Sequence, residues 1–347
     1  MTLPSITSFR AQVRDVLAEP ATAGRHVIVL GVDGIPYELA QRAWRGARVD
    51  EARSVFPTTS STAWLSSLTG ASVDEHGVPG VVFAVPEVTD ALIDVYAYQG
   101  SLGEPPPDDL FSDAARAGYT PVAILGDLED THGTWRDWLV HRAQRVPGHR
   151  FFSGPDATSD PDALGARLEA AVARALATPP GPCLVWCFLD ADRHIHRHGY
   201  DEALRAFLAR VDAIAHGWAR DGAVVIAHSD HGLVPTRHDP AIAATLDRIT
   251  ARHGCAMGGA GRTRWLYAAP AIEARVRDEL TRDLPASVRI EPADAWFAPG
   301  SLARRRVGSI VLVAEGEAFL AAEGVRFEHG SLTARELPVP IAVWRPC

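Results

Sequence analysis

Near-continuous apolar runs recur along this chain, and most of them follow a segment with helical spacing. HVIVLGV, residues 26–32, is the first such run. An unbroken apolar run predicts a strand buried on both faces, as in a parallel sheet. A helix is expected next, over Pro36–Arg45, and another over Ser61–Leu68, stopped at Gly70. LFSDAARAGYTPVAILGD, residues 110–127, reads as helix then strand, with Gly118 near the break. In residues 161–190 a helix runs to about Leu176, the Pro-Pro-Gly-Pro turn ends it, and the strand PCLVWCFL follows. DEALRAFLARVDAIAHGWARDGAVVIAHSD, residues 201–230, repeats the pattern. Strand, helix and strand in this order predict an α/β fold, a mostly parallel central sheet with helices on both faces.

The alternation loosens after His231. Residues 237–316 hold two helical patterns, AIAATLDRITARH and IEARVRDELTRDL, and two short strand patterns, TRWLYAA and SVRIEP. We read 237–316 as a small α+β insertion that caps a core made of 1–236 and 317–347. Within it, GGAGRTRWLYA supplies Arg262 and Arg264, either of which could reach an anion. Its glycines lack the strand–turn–helix setting of a dinucleotide fingerprint.

Composition narrows the chemistry. The net charge of -9 argues against binding a nucleic-acid polymer, which needs a basic surface. No run approaches the ~20 apolar residues of a membrane span. The opening MTLPSITSFRAQVRDVLAEP lacks the apolar core of a signal peptide, so the expected location is cytoplasmic. The chain contains no lysine, which excludes Schiff-base and P-loop chemistry and leaves arginine, backbone N–H groups or metal ions to meet phosphate charge. Cys183, Cys187, Cys255 and Cys347 do not make a zinc-finger spacing. Cys183 and Cys187 share one face of a strand and read as small buried residues.

The polar residues that end the apolar runs carry the chemistry. Asp33 ends the first run; Asp192 and His196 stand four apart in DADRHIHRHG; Asp230 and His231 adjoin in SDHG; His329 lies in FEHGSL. His194 and His198 flank His196 and share its alternation. Carboxylate and imidazole ligands at the carboxyl ends of successive strands suit two divalent ions, zinc foremost. Between Asp33 and these pairs lies a hydroxyl cluster, Thr58, Thr59, Ser60, Ser61 and Thr62, at a predicted helix start. Such a start offers free N–H groups to an anion. His76 reads as a turn element and His228 as a packed core histidine.

The order VDGI, FPTTSS…SLTG…HGV, DADRHIHRHG, SDHG and EHGSL resembles the alkaline phosphatase superfamily, and most of all its type I phosphodiesterase/nucleotide pyrophosphatase branch. The resemblance spans Asp33 to Val339. It implies that Asp33, Asp230 and His231 hold one zinc together with the nucleophile, and that Asp192, His196 and His329 hold the other. It places the nucleophile at Ser60, where the branch usually has threonine, with Thr59 next if the register slips by one. The implied function is metal-dependent hydrolysis of a small phosphoric diester or pyrophosphate through a phosphorylated side chain. Monoester or phosphonate hydrolysis is the near alternative. A metal-binding module without turnover is the alternative from another class.

Overall fold

A computed structural model describes residues 3–346, except 147, 149, 151, 153–156, 178 and 179. Cys347 and part of the Pro-Pro-Gly-Pro turn lie outside the described residues. The central sheet has seven strands. In spatial order they are Arg48–Arg53, Pro338–Trp344, Val224–His228, Val27–Val32, Cys183–Leu189, Thr120–Ile124 and Gln144–Val146. Val27–Val32 is parallel to both of its neighbours, and Pro338–Trp344 alone runs against the strands beside it. The fold is therefore the expected α/β class, mixed but mostly parallel.

The first strand shows why the runs are unbroken. Val27 and Val29 enter one core, while Ile28, Leu30 and Val32 enter the core on the opposite face. The first core takes the helices Phe9–Ala18, Ser60–Thr69, Leu110–Arg116 and Thr134–Val140. The second takes Tyr37–Ala43, Pro161–Ala177 and Glu202–Arg220, and also holds Cys183 and Cys187. A strand with helices on both sides has no solvent face to make polar. No helix among the described residues is long and apolar enough to cross a membrane.

A second, six-stranded sheet is antiparallel throughout. Four of its strands come from residues 256–314, and two, Val82–Val85 and Thr89–Asp94, come from the segment after the Ser60–Thr69 helix. The helices Pro240–His253 and Glu273–Asp283 cover one face of this sheet.

Two buried histidines, His228 and His76, belong to neither cluster of acids and imidazoles. His228 stacks on Phe9 at 3.6 Å and stands edge-on to Trp64 at 5.0 Å, and neither ring nitrogen makes a hydrogen bond. His76 pairs with the Ser66 hydroxyl and accepts the Val78 N–H, which fixes the turn as expected. Burial pushes both down to about 3. A base held neutral by the fold binds a proton more readily when unfolded. Each therefore leaves stability intact above about 6.5 and removes it as pH falls toward the folded value. We expect urea midpoints to drop between pH 7 and pH 5. His228→Phe should flatten that drop, by up to ~1.4 kcal/mol for each pH unit below 6.5. Equal slopes in the two proteins would show that His228 does not stay neutral.

Candidate metal centre

Three adjacent strands end at one point, and their carboxyl ends deliver the acids. Asp33 follows Val27–Val32 directly, and its N–H donates to the Leu189 carbonyl at 2.9 Å, binding it to the end of the next strand. Asp192 opens the helix Asp192–His198 just beyond that strand. Asp230 lies two residues past Val224–His228. This edge of an open sheet is where ligands gather.

The six acids and imidazoles form two trios. In each trio one ligand atom per residue lies within 4.8 Å of the others: Asp33, Asp230 and His231 in one, Asp192, His196 and His329 in the other. In the first, His231 Nε2 stands 3.2 Å from Asp230 Oδ2 and 3.7 Å from Asp33 Oδ1. In the second, His196 Nε2 is 2.9 Å from Asp192 Oδ2, and His329 Nε2 is 3.9 Å from Asp192 Oδ1. The trios share one basin, because the rings of His231 and His329 stack at 3.9 Å. His194 turns away to Asp201 at 3.0 Å, so the flanking histidine is excluded from the trio.

Supporting bonds orient these ligands. His329 Nδ1 pairs with the Thr58 carbonyl at 2.8 Å, and His196 Nδ1 with the Phe327 carbonyl at 2.7 Å. A carbonyl only accepts, so each Nδ1 carries a proton, which leaves Nε2 as the nitrogen that faces the basin. Trp64 Nε1 donates to Asp33 Oδ2 at 3.1 Å, and the Gly34 N–H to Asp230 Oδ1 at 3.1 Å. The Ser54 hydroxyl donates to the Asp230 carbonyl.

The hydroxyl cluster divides its work. Thr58 Oγ1 donates to the Ser331 carbonyl and accepts the Gly330 N–H, locking the His329 loop against the helix start. Ser60 is the first residue of the helix Ser60–Thr69; its Oγ lies 3.2 Å from His231 Nε2 and 3.4 Å from Asp33 Oδ1. Thr59 is the N-cap and its hydroxyl is buried without a partner, whereas Ser60 Oγ lies within 3.4 Å of two members of the first trio. The first bond inside this helix runs from Thr62 N–H to the Thr59 carbonyl, so the N–H groups of Ser60 and Ser61 precede the ladder.

The electrostatics call for cations. Burial, with the charges of Asp230 and Asp192, holds the Asp33 carboxyl well above the usual carboxylate range. Burial pushes Asp230 up to about 7. Asp192 is also buried, but the imidazoles of His196 and His329 outweigh burial and hold it below its usual range. Asp192 in turn overcomes the burial of His196 and raises it to about 10. Asp192 Oδ1 and Asp230 Oδ2 are buried and accept no hydrogen bond. Orphaned carboxylate oxygens beside imidazole nitrogens are a donor set that fits divalent ions, zinc among them. Such ions must displace the protons on Asp230, Asp33 and His196, so acid opposes loading. We expect zinc binding at pH 7 to release protons, measured by titration calorimetry in two buffers of different ionisation enthalpy, and affinity to fall below pH 7. Heats independent of buffer would contradict this charge state.

Neither arginine singled out in the sequence points into the basin. Arg262 is buried, with Nη2 on the carbonyls of Ala314 and Gly316 and Nε 3.4 Å from Glu336. Arg264 Nη1 bonds the carbonyls of Gly261 and Thr263. The Arg262 N–H donates to the His329 carbonyl at 2.7 Å, so this segment supports a ligand through its backbone. Trp64, which holds Asp33, was not expected at the site. Trp64 sits one turn along from Ser60, a spacing that places both on one helix face.

The family model for type I phosphodiesterase / nucleotide pyrophosphatase matches residues 27–324. No curated protein matches the sequence. Among solved structures, murine ectonucleotide pyrophosphatase/phosphodiesterase 5 is similar at 16% identity and a TM-score of 0.65, over 92% of this chain and 88% of that one. An inactive form of the murine protein was solved in complex with AMP. Phosphonoacetate hydrolase from Sinorhizobium meliloti 1021, in complex with phosphonoacetate, is similar at 18% identity and a TM-score of 0.65, over 93% of this chain and 91% of that one.

Proposed function

We infer the reaction from a premise these matches establish: the chain belongs to the type I phosphodiesterase/nucleotide pyrophosphatase family, in the alkaline phosphatase superfamily. Members of this family hydrolyse phosphoric ester or pyrophosphate bonds. We propose that this chain does so on small diesters or pyrophosphates, with Ser60 as nucleophile and two divalent ions, zinc preferred. One observation carries the reading: a helix-start hydroxyl lies beside one of two adjoining Asp/His trios, each with one buried carboxylate oxygen that accepts no hydrogen bond.

Asp33, Asp230, His231 and Ser60 would hold one ion, and Asp192, His196 and His329 the other. Bound there, such ions acidify a hydroxyl and neutralise charge on phosphoryl and leaving-group oxygens. Ser60 Oγ, its proton released to solvent, forms the new P–O bond as the ester oxygen departs on the opposite side and takes a proton from water. Free N–H groups at the helix start meet a phosphoryl oxygen. Water cleaves the phosphoserine and restores Ser60.

Two features favour a diester over a monoester or phosphonate. A dianion needs one more positive group, the chain has no lysine, and Arg262 and Arg264 are held on the carbonyls of the second sheet, Arg262 through Nη2 and Arg264 through Nη1. Residues 237–316 are proposed to choose the substrate, and a cytoplasmic setting is proposed for it.

A panel tests the reading. Zinc-loaded protein is offered aryl diesters, aryl monoesters, nucleotide pyrophosphates and phosphonates, and the diesters or pyrophosphates should give the highest kcat/KM. Preference for a monoester or phosphonate would move the chain to the alternative. Two bound ions with no turnover on any of them would make it a binding module.

A further inference from the structure

The basin has a deep side and an open side. The side chains of Asp33, Asp230 and His231 are at most 4% exposed, whereas those of Asp192, His196 and His329 are 13%, 21% and 9% exposed. Solvent therefore reaches the centre over the second trio, and a substrate enters by the same side.

A further carboxylate stands at that opening. Glu328 ends the short strand Phe327–Glu328, which pairs with Val234–Pro235 and leads into His329. Its side chain is 15% exposed, and its Oε1 lies 3.6 Å from His329 Nε2 and 3.7 Å from His196 Nδ1. It thus sits against both imidazoles of the second trio, and among the described residues no arginine pairs with it. Two contacts seat the carboxylate. The His329 N–H donates to Oε1 at 3.1 Å. Gly261, in the turn between the strands Ala256–Ala260 and Thr263–Tyr267, leaves it room. A Cβ there would come within 3.0 Å of Oε1 and 2.1 Å of the His329 carbonyl oxygen.

Neither contact asks for a charge. A glutamine amide oxygen would accept the same N–H in the same space. What the carboxylate adds is one negative charge beside the second trio. Two divalent ions bring more positive charge than Asp33, Asp192 and Asp230 can meet, and Glu328 makes up the difference. A centre without surplus charge gains little from a second negative charge on its ligand.

We propose that Glu328 is a specificity-determining residue whose carboxylate repels a second negative charge on the reacting phosphoryl group or its leaving group. The substrate is then a phosphodiester with an uncharged leaving alcohol, rather than a monoester or a pyrophosphate. This rests on the reading of the centre as a phosphoryl-transfer site and narrows it. Glu328 acts through its charge alone, and no proton passes through it.

Glu328→Gln keeps the acceptor for the His329 N–H and removes only the charge. In the zinc-loaded variant, titration calorimetry at mildly alkaline pH should show inorganic phosphate, there a dianion, binding about tenfold more tightly or better. Dimethyl phosphate, a monoanion, should change by less than about half as much on a logarithmic scale. The kcat/KM for an aryl monoester should rise relative to that for a methyl aryl diester, with two zinc ions still bound. Glu323→Gln, which removes the same charge from an exposed position nearby in sequence, should match the wild type. An unchanged preference in Glu328→Gln would overturn the proposal. So would an equal shift in Glu323→Gln, which would trace the effect to net charge, or the loss of one zinc ion, which would make Glu328 a ligand. The two readings fail separately. A wild type that cleaves no ester, with the phosphate shift present in Glu328→Gln, sinks the hydrolase reading alone. Turnover with an unchanged preference sinks Glu328 alone, and a wild type that neither cleaves an ester nor binds phosphate sinks both.

Discussion

Asp192→Ala is expected to leave the protein with one bound ion per chain in place of two, and to cut diester turnover by roughly 10³-fold or more, the loss of several kcal/mol of charge stabilisation. Asp192 is the only carboxylate of its trio, and one of its oxygens already accepts no hydrogen bond. The remaining ligands, His196 and His329, have spent their Nδ1 protons on the Phe327 and Thr58 carbonyls and keep one lone pair each. Two neutral imidazoles hold a divalent ion far less well than two imidazoles and an anion. The first trio keeps both of its carboxylates, so its ion should stay. Metal analysis by mass spectrometry, beside a diester assay, reads both effects. His194→Ala is the control: that ring bonds Asp201 outside the basin, and the variant should keep two ions and full activity. Two ions in Asp192→Ala, with turnover intact, would show that the second trio is not a metal site.

The sequence made some of this legible because the physics was local. An unbroken apolar run such as VIVLGV states that both faces are covered, and an Asp at its end falls at the carboxyl edge of the sheet wherever the strand pairs. The helix start at Ser60 and its stop at Gly70, which adopts a left-handed φ of 76°, follow from local capping. What pairing over long range decides could not be read in the same way. Pro338–Trp344 is an interior strand although it contains two prolines. Both prolines lie where the strand pairs only with Arg48–Arg53, and the partner on the other side begins at Ile341. The second sheet draws strands from before and after the middle of the chain. Arg262 looked like an anion ligand beside its glycines, but the fold turns it into carbonyls buried at Ala314 and Gly316. Glycine-flanked arginine has no local signal that tells these fates apart.

Ser60→Ala is expected to retain both ions and lose turnover by several powers of ten, on the order of 10⁴ or more, because the covalent step disappears. The two halves of that expectation have separate causes. Three side chains remain for each ion, and the bonds that orient them do not pass through Ser60: Trp64 holds Asp33, Gly34 holds Asp230, and backbone carbonyls hold His196 and His329. Chemistry fails because Ser60 Oγ is the hydroxyl that sits 3.2 Å from His231 and 3.4 Å from Asp33, at a helix start where attack is electrostatically favoured. Ser60→Thr should keep measurable turnover. Ser60 is half-buried rather than packed on all sides, so an added methyl meets a site with room at its mouth. Acid quench during turnover of a labelled diester, followed by digestion and mass spectrometry, should find phosphate on Ser60. Phosphate on Thr59 would move the nucleophile by one residue and leave the two-ion mechanism standing. An unlabelled protein whose Ser60→Ala variant still turns over would mean that water attacks phosphorus directly, and the hydroxyl at the helix start would then be a ligand only.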